Sequence, residues 1–165
     1  MSYGNDEASG TWWGVVISLA GLPEKVTKGR AINALMRKNN IDLGRIIVTQ
    51  FKEQLETKHV FPSIVETNED ATFTLEIWSY GLMWDSRGVS WPPYPLKPVL
   101  TVDVHLKKPD GTLIWKNRAE TYDNTSEVDA YMYDEYIENP SLLRKGFEQA
   151  TSKIVGQFLE NIEAD

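Results

Sequence analysis

Apolar and polar residues alternate over three segments of the chain, and this two-residue period predicts β-strands. In residues 71–82 apolar side chains take every second position, with threonine and glutamate between them. Residues 99–107 and 112–121 repeat the pattern, and the tripeptide Pro-Asp-Gly occupies positions 109–111 between them. Because proline presets φ and glycine accepts a positive φ, this tripeptide predicts a tight turn that joins two antiparallel strands.

The N-terminal part of the chain has a less regular pattern. Residues 11–21 are predicted as a strand with two fairly apolar faces, which is typical of a central strand. Residues 24–40 allow two interpretations: Ile32, Leu35 and Met36 fit one short helical turn, whereas Gly29 and the basic side chains favour the irregular loop that we expect there. Residues 1–11 are small and polar, which predicts a flexible lead-in to a single domain at 12–165.

Two later segments have the apolar period of an amphipathic helix. Between residues 42 and 58 an apolar side chain recurs at every fourth position, and Asp42 is the expected N-cap. Asn139 and Pro140 are expected to begin the last helix, as its N-cap and its first residue. The apolar stripe of that helix contains Leu143, Phe147, Ala150, Ile154, Phe158 and Ile162.

The resulting order of elements, β-α-β-β-β-α, predicts an α+β fold. Each helix has one apolar stripe and each strand has one dominant apolar face. The two helices are therefore expected to pack on one face of a four-stranded mixed sheet. The connection after the first strand is long enough for parallel pairing, whereas the 109–111 turn requires antiparallel pairing.

Charge and composition narrow the range of functions. The 165 residues have a net charge of −7, and their lysines and arginines are scattered, which argues against nucleic-acid binding and predicts repulsion from anionic membranes. The chain has no cysteine, which excludes disulfides, thiolate nucleophiles and cysteine-ligated zinc. The opening residues lack the apolar core of a signal peptide, and no apolar run is long enough to predict a transmembrane segment.

Aromatic residues and prolines are concentrated between residues 78 and 95, and this connector is predicted as the binding site. The predicted site consists of Trp78, Tyr80, Trp84, Asp85, Arg87, Trp91 and Tyr94. Prolines restrict the backbone, which lowers the entropy lost when the rings bind a partner, and tryptophan and tyrosine dominate protein interfaces. The alternative is that the same rings bury as a small cluster over the open face of the sheet.

Other candidate chemistry is weaker. The acidic, tyrosine-rich residues 123–138 lack the regular ligand spacing and the glycine of a calcium loop, so we expect a solvated loop. His59 and His105 are expected to have surface roles, and no phosphate-binding loop or serine-hydrolase elbow occurs. We therefore expect no metal, no cofactor and no enzymatic activity. An enzyme with two carboxylates distant in sequence remains an alternative.

Three segments carry a family resemblance. They are DATFTLEIWSYGL at 70–82, PVLTVDVHLKKPDGTLIW at 98–115 and NPSLLRKGFEQATSKIVGQFL at 139–159. The first ends in Tyr-x-Leu, the second has Asp-Gly-x-x-x-Trp at its turn, and the third is an amphipathic C-terminal helix. Together they resemble uncharacterised lipoproteins of the Gram-negative envelope and, more distantly, the small α/β domain of outer-membrane assembly and Tol-system proteins.

The resemblance implies a location and a type of function. Such a domain would face the periplasm at the outer membrane, held by a lipid anchor upstream of Met1. It would bind an envelope protein or an amphiphile without catalysing a reaction. A carbohydrate- or peptidoglycan-binding module that uses the same aromatic rings is the alternative.

Overall fold

The computed structural model describes residues 16–17, 32–58, 72–85, 93–122 and 127–164. The elements in chain order are β1 (Val16–Ile17), α1 (residues 32–38), α2 (Leu43–Lys58), β2 (Thr72–Trp84), β3 (Leu96–Lys107), β4 (Leu113–Glu120), α3 (Tyr133–Glu138) and α4 (Pro140–Ala164). The strands form one sheet in the order β1-β2-β3-β4. β1 runs parallel to β2, and the other two pairs are antiparallel.

The predicted α+β class is confirmed, but the sheet and helix predictions are confirmed only in part. Among the described residues, three antiparallel strands, β2 to β4, form nearly all of the sheet, and parallel β1 contributes Val16–Ile17. The prediction of two helices is wrong, because four helices lie within the described ranges. The predicted lead-in at 1–11, and the predicted first strand apart from Val16–Ile17, lie outside the described residues.

The first correction concerns residues 24–40, which were expected to form an irregular loop. Residues 32–38 form helix α1. Ile32 and Met36 are buried, and Leu35 packs against the same core, so three residues at positions i, i+3 and i+4 share one side of the helix. Tertiary burial of this short stripe outweighs the weak local helix signal.

The second correction concerns the acidic segment 123–138, which contains helix α3 instead of being a solvated loop throughout. The Met132 backbone N–H donates to Glu135 Oε2 at 2.7 Å and caps the first turn. Tyr136 is almost completely buried, which supplies the tertiary contact that a six-residue helix needs.

The apolar faces of the strands meet the helices on one side of the sheet. Phe51 of α2 contacts Phe73 of β2 edge-on, with ring centroids 5.1 Å apart. Phe158 of α4 contacts both Phe51 and Trp115 of β4, each at 6.4 Å. The described contacts between helices and the sheet therefore lie on the expected face. In the predicted α4 stripe the first five residues are fully buried and Ile162 is partly buried.

The predicted helix starts and the predicted turn are confirmed in position. Helix α2 follows Asp42, whose Oδ1 accepts a hydrogen bond from Arg45 N at 3.0 Å. Helix α4 begins at Pro140, although the Oδ1 of Asn139 accepts from the Ser141 hydroxyl at 2.6 Å rather than from a backbone N–H. Gly111 adopts a φ of +84°, which explains the glycine of the β3–β4 turn.

Helix α4 approaches β3 closely at Gly146. A Cβ built on this glycine would lie 2.6 Å from Cγ and 2.9 Å from Cδ of Pro98, closer than two carbon atoms can pack. The pyrrolidine ring of Pro98 is rigid, so it cannot turn away from an added methyl group. The absence of a side chain at position 146 therefore sets the distance between helix and sheet.

A pair of glycine substitutions on α4 tests this contact. We expect Gly146→Ala to lower the free energy of unfolding by about 1–3 kcal/mol, because the methyl group overpacks the helix–sheet contact. Gly156→Ala is the matched control, since nothing lies within 4 Å of its added Cβ. It is expected to raise stability by about 0.5–1 kcal/mol through helix propensity alone. Urea denaturation measures the free energy of unfolding of both variants. Equal changes at the two positions would contradict the close contact between Gly146 and Pro98.

Candidate functional site

The backbone of Leu96, the first residue of β3, joins three elements of the fold. Leu96 N donates to Tyr131 O at 2.7 Å, and Tyr131 N donates back to Leu96 O at 2.9 Å. The Tyr136 hydroxyl donates to the same carbonyl at 2.7 Å. Tyr131 thus forms a bridge to the edge of β3 beyond the end of β4, and with the Tyr136 hydroxyl it ties helix α3 to the sheet.

Burial has a strong effect on Tyr136. Its hydroxyl lies inside the protein, and this burial raises the pKa of Tyr136 well above its usual value near 10. The phenol is therefore neutral over the physiological pH range and remains a hydrogen-bond donor to Leu96. This hydroxyl is separated from its acceptor by 40 residues in the sequence, which is why no local pattern predicted the contact.

The segment that leads into α3 is also fixed to α4. Asp129 N donates to Gln149 Oε1 at 3.0 Å, and Gln149 Nε2 donates to Asp129 Oδ2 at 3.1 Å. Lys145 Nζ lies 2.8 Å from the same oxygen. The hydrogen bond from Lys145, followed by the one from Gln149, lowers the pKa of Asp129. The negative charge of Asp129 is thus partly neutralised by side chains of α4.

Trp84 and Tyr94 form an exposed aromatic surface at this end of the sheet, named here the Trp84 surface. Trp84 is directly opposite Leu96 in the β2–β3 pair. The Trp84 side chain is 67% exposed, and its ring lies 6.4 Å from that of Tyr94. Asp85 N donates to Pro95 O at 2.8 Å, so the backbone next to both rings is hydrogen-bonded. The Trp84 surface is therefore presented by the end of β2 and by the hydrogen-bonded residues that lead into β3.

Two other predicted site residues, Tyr80 and Asp85, are turned into the protein. Tyr80 points towards the helices, where its hydroxyl donates to Asn33 Oδ1 at 3.0 Å and its ring contacts Phe147 at 6.1 Å. Asp85 is buried. Tyr80 is therefore a core residue on the helix side of the sheet, whereas the alternative interpretation placed a ring cluster over the open face. Arg87 and Trp91 lie outside the described residues.

Trp78 lies at an irregularity in the β2–β3 pairing, between Ile77 and Ser79. The register shift returns Tyr80 to the helix side, whereas alternation from the buried Ile77 already places the Trp78 ring on the face of the sheet opposite the described helices. There the guanidinium of Arg118 stacks on the ring at 4.7 Å. Arg118 also donates to both carboxylate oxygens of Asp103, including Nη2 to Oδ2 at 2.7 Å. Trp78 is 44% exposed but already has a cation on one face.

These positions correct the predicted extent of the connector. Residues 78–84 were included in it, but they belong to strand β2, which continues to Trp84. At about 3.3 Å per residue, Trp78 and Trp84 are about 20 Å apart along that strand. They do not form one surface. The strand extends further than predicted because the alternating pattern resumes after the register shift, with Tyr80 and Leu82 packed against the core.

Other chemistry can be described only for part of the chain. Within the described ranges no three metal-ligating side chains are grouped together. In the same ranges no helix combines the length and the apolar character needed to cross a bilayer. His105 is half-buried on β3, and His59 lies outside the described residues.

Comparisons with known proteins add little to this description. No protein-family model matches the chain, and no curated protein matches it. Among solved structures the chain is similar to a minor lipoprotein from Acinetobacter baumannii, with 16% sequence identity over 71% of this chain and 85% of that one. The TM-score is 0.38, which is too low to establish a common fold.

Replacing Tyr136 tests the hydrogen bond that holds α3. We expect Tyr136→Phe to lower the free energy of unfolding by about 1–2 kcal/mol at pH 8, because the Leu96 carbonyl loses a donor. The difference in the free energy of unfolding between wild type and Tyr136→Phe should become smaller above about pH 10. Because the pKa of Tyr136 is higher in the folded than in the unfolded state, the unfolded wild type loses its phenol proton first, and the wild type becomes less stable as the pH rises above about 10. Phenylalanine has no such proton, so the variant lacks this loss.

Urea denaturation at pH 8 and pH 11 measures this difference. Tyr133→Phe removes the same hydroxyl from a half-buried residue of the same helix, and we expect it to change stability by less than about 0.5 kcal/mol. A difference between wild type and Tyr136→Phe that stays constant from pH 8 to pH 11 would contradict the buried, protonated phenol.

Proposed function

We propose that this protein is a non-enzymatic domain of the bacterial envelope and that the Trp84 surface binds a protein partner or an amphiphile. The observation that carries the proposal is the 67% exposure of Trp84 at the end of an ordered strand. Large aromatic rings usually bury, and a ring left exposed on a rigid support is typical of an interface anchor. The envelope location is proposed from the resemblance of the sequence.

The backbone that carries Trp84 supports the proposal. Trp84 opposes Leu96, and both hydrogen-bonding groups of the Leu96 backbone are engaged by Tyr131. Partner binding would therefore order few backbone groups, and little conformational entropy would be lost. Tyr94 supports the Trp84 ring from the side, so the two rings would act as a preformed anchor.

Charges close to the Trp84 surface favour one class of partner. Helix α3, which is bound to Leu96 through Tyr136, carries Asp134 and Glu138 on its exposed side. These carboxylates would attract a partner segment that combines an apolar residue with lysine or arginine. An amphiphile with an anionic head group fits this end of the molecule less well.

The carbohydrate-binding alternative is less well supported by the geometry. A sugar-binding platform needs rings that present a continuous flat surface for stacking. The planes of Trp84 and Tyr94 are inclined by 43° to each other, so together they form an angled surface. An angled pair suits a protruding side chain better than a flat sugar ring.

Site-specific photo-cross-linking tests the Trp84 surface. We expect benzoylphenylalanine at position 84 to give one discrete adduct in envelope extracts, and we expect Tyr94→Ala to weaken it. Benzoylphenylalanine at position 78 is the matched control, because Trp78 is also a partly exposed tryptophan of β2 but lies on the other face. An adduct of equal strength from both positions would contradict the proposal.

Truncation of the ring provides the second part of this test. We expect Trp84→Ala to abolish capture of the cross-linked partner and to change the free energy of unfolding by less than about 1 kcal/mol, because the side chain is mostly exposed. If this substitution instead collapses the thermal transition, the ring is structural and the binding proposal is wrong.

A further inference from the structure

The turn between β3 and β4 exposes branched apolar side chains. All residues from 107 to 114 are exposed, and Leu113 and Ile114 are 45% and 49% exposed. The strand pairing shifts at this point, since Leu106 pairs with Trp115 but Lys107 pairs with Leu113. Ile114 is thereby left without an opposite residue. This irregularity allows two consecutive apolar side chains to be exposed together.

Basic residues surround these side chains. Residues 107–116, named here the hairpin tip, contain Lys107, Lys108 and Lys116. They contain one carboxylate, Asp110, whose Oδ1 accepts a hydrogen bond from Thr112 N at 2.8 Å. The hairpin tip is thus positively charged on a protein whose net charge is −7.

The backbone of the hairpin tip is ordered. Lys108 N donates to Thr112 O at 2.8 Å, and Gly111 N donates to Lys108 O at 2.9 Å. Gly111 takes the positive φ that this turn requires. The lysines and the apolar pair are therefore held together at one end of the sheet without further folding.

The hairpin tip lies far from the acidic helix α3. Strand β3 has 12 residues, with Leu96 at one end and Lys107 at the other. This corresponds to about 35 Å. Because the Debye length is about 8 Å at physiological ionic strength, the carboxylates of α3 have little effect on the potential at the tip.

We propose that the hairpin tip docks on an anionic membrane surface, where Lys107, Lys108 and Lys116 contact lipid head groups and Leu113 and Ile114 enter the interface. This site is separate from the Trp84 surface and does not depend on the function proposed for it. The net charge of −7 predicted repulsion from anionic membranes. The proposal replaces that prediction, because the part of the protein that would meet the membrane is the positively charged hairpin tip.

The exposed apolar pair favours a membrane over the other anionic or apolar partners. Lysines alone would suit any polyanion, but a nucleic acid offers no apolar phase for Leu113 and Ile114. Pairing of the β4 edge with another strand is opposed by Lys116 and Arg118, since charged edge residues discourage strand addition. A basic patch combined with exposed leucine and isoleucine matches the interface of an anionic bilayer.

Vesicle co-sedimentation tests the proposal. We expect the full chain to bind vesicles of equal parts phosphatidylglycerol and phosphatidylcholine at low salt, and to bind pure phosphatidylcholine at least about fivefold more weakly. Each of two double variants, Lys107→Gln with Lys108→Gln and Leu113→Asn with Ile114→Asn, should lower the partition coefficient about tenfold. Lys38→Gln and Ile137→Asn are matched controls, because both residues are exposed on other elements. Neither should change binding.

A fluorescent probe reports the insertion itself. The chain has no cysteine, so Thr112→Cys provides a single labelling position on the tip. We expect a nitrobenzoxadiazole label there to shift to the blue on anionic vesicles, and a label at Ile137→Cys to remain unchanged.

Three results would overturn the proposal. They are failure of the wild type to bind anionic vesicles at low salt, binding that is unaffected by the Leu113 and Ile114 substitutions, and equal blue shifts at both labelled positions. If Leu113→Asn with Ile114→Asn leaves binding unchanged, the lysines contact any polyanion and no apolar insertion takes place. Soluble dextran sulfate should then displace the protein from the vesicles completely. Thermal unfolding of each variant establishes that it is folded before binding is measured.

Discussion

The hydrogen bonds on the Leu96 backbone are the constraint on which the rest of this structure depends. Tyr131 engages both the N–H and the carbonyl of Leu96, and the buried Tyr136 hydroxyl donates to the same carbonyl. These bonds close the edge of β3 where β4 has ended, attach α3 to the sheet and so direct the chain into α4. They also fix the residue opposite Trp84, and the exposed ring is therefore held by the same contacts that complete the fold.

The two ends of strand β3 differ in chemical character, and the helices between them pack on one face of the sheet. The helices cover one side of the sheet, and α4 lies against β3 at the distance set by Gly146 and Pro98. Strand β3 then runs from the aromatic, acidic end at Leu96 to the basic hairpin tip at Lys107. If the tip docks on a bilayer as proposed, the Trp84 surface is directed away from it by the length of one strand. A partner would then be met at a fixed height above the membrane.

The sequence predicts the elements whose signals are local. The alternating pattern of β2 and β3, the Asp42 cap, the turn at Gly111 and the apolar stripe of α4 all depend on neighbouring residues, and each is found near its expected position. Helix α3 was missed, and the short apolar stripe of α1 was outweighed by the signals for an irregular loop, because the stability of both helices comes from burial against distant elements rather than from propensity. Trp84 and Tyr94 of the predicted connector lie next to each other in the structure, whereas Trp78 and Tyr80 of the same connector belong to strand β2. The register shift that turns Trp78 and Tyr80 to opposite faces depends on pairing with β3, which sequence alone does not reveal.

Amide hydrogen exchange at Leu96 and Tyr131 tests the central claim most directly. If Tyr131 completes the edge of β3, the amides of Leu96 and Tyr131 should open only when the sheet opens. Their protection should then be close to that expected for Val102 and Val104 in the buried part of β3. If the acidic segment is instead a solvated loop that only passes near the sheet, both amides will exchange orders of magnitude faster than those core residues. That result would remove the support of the Trp84 surface.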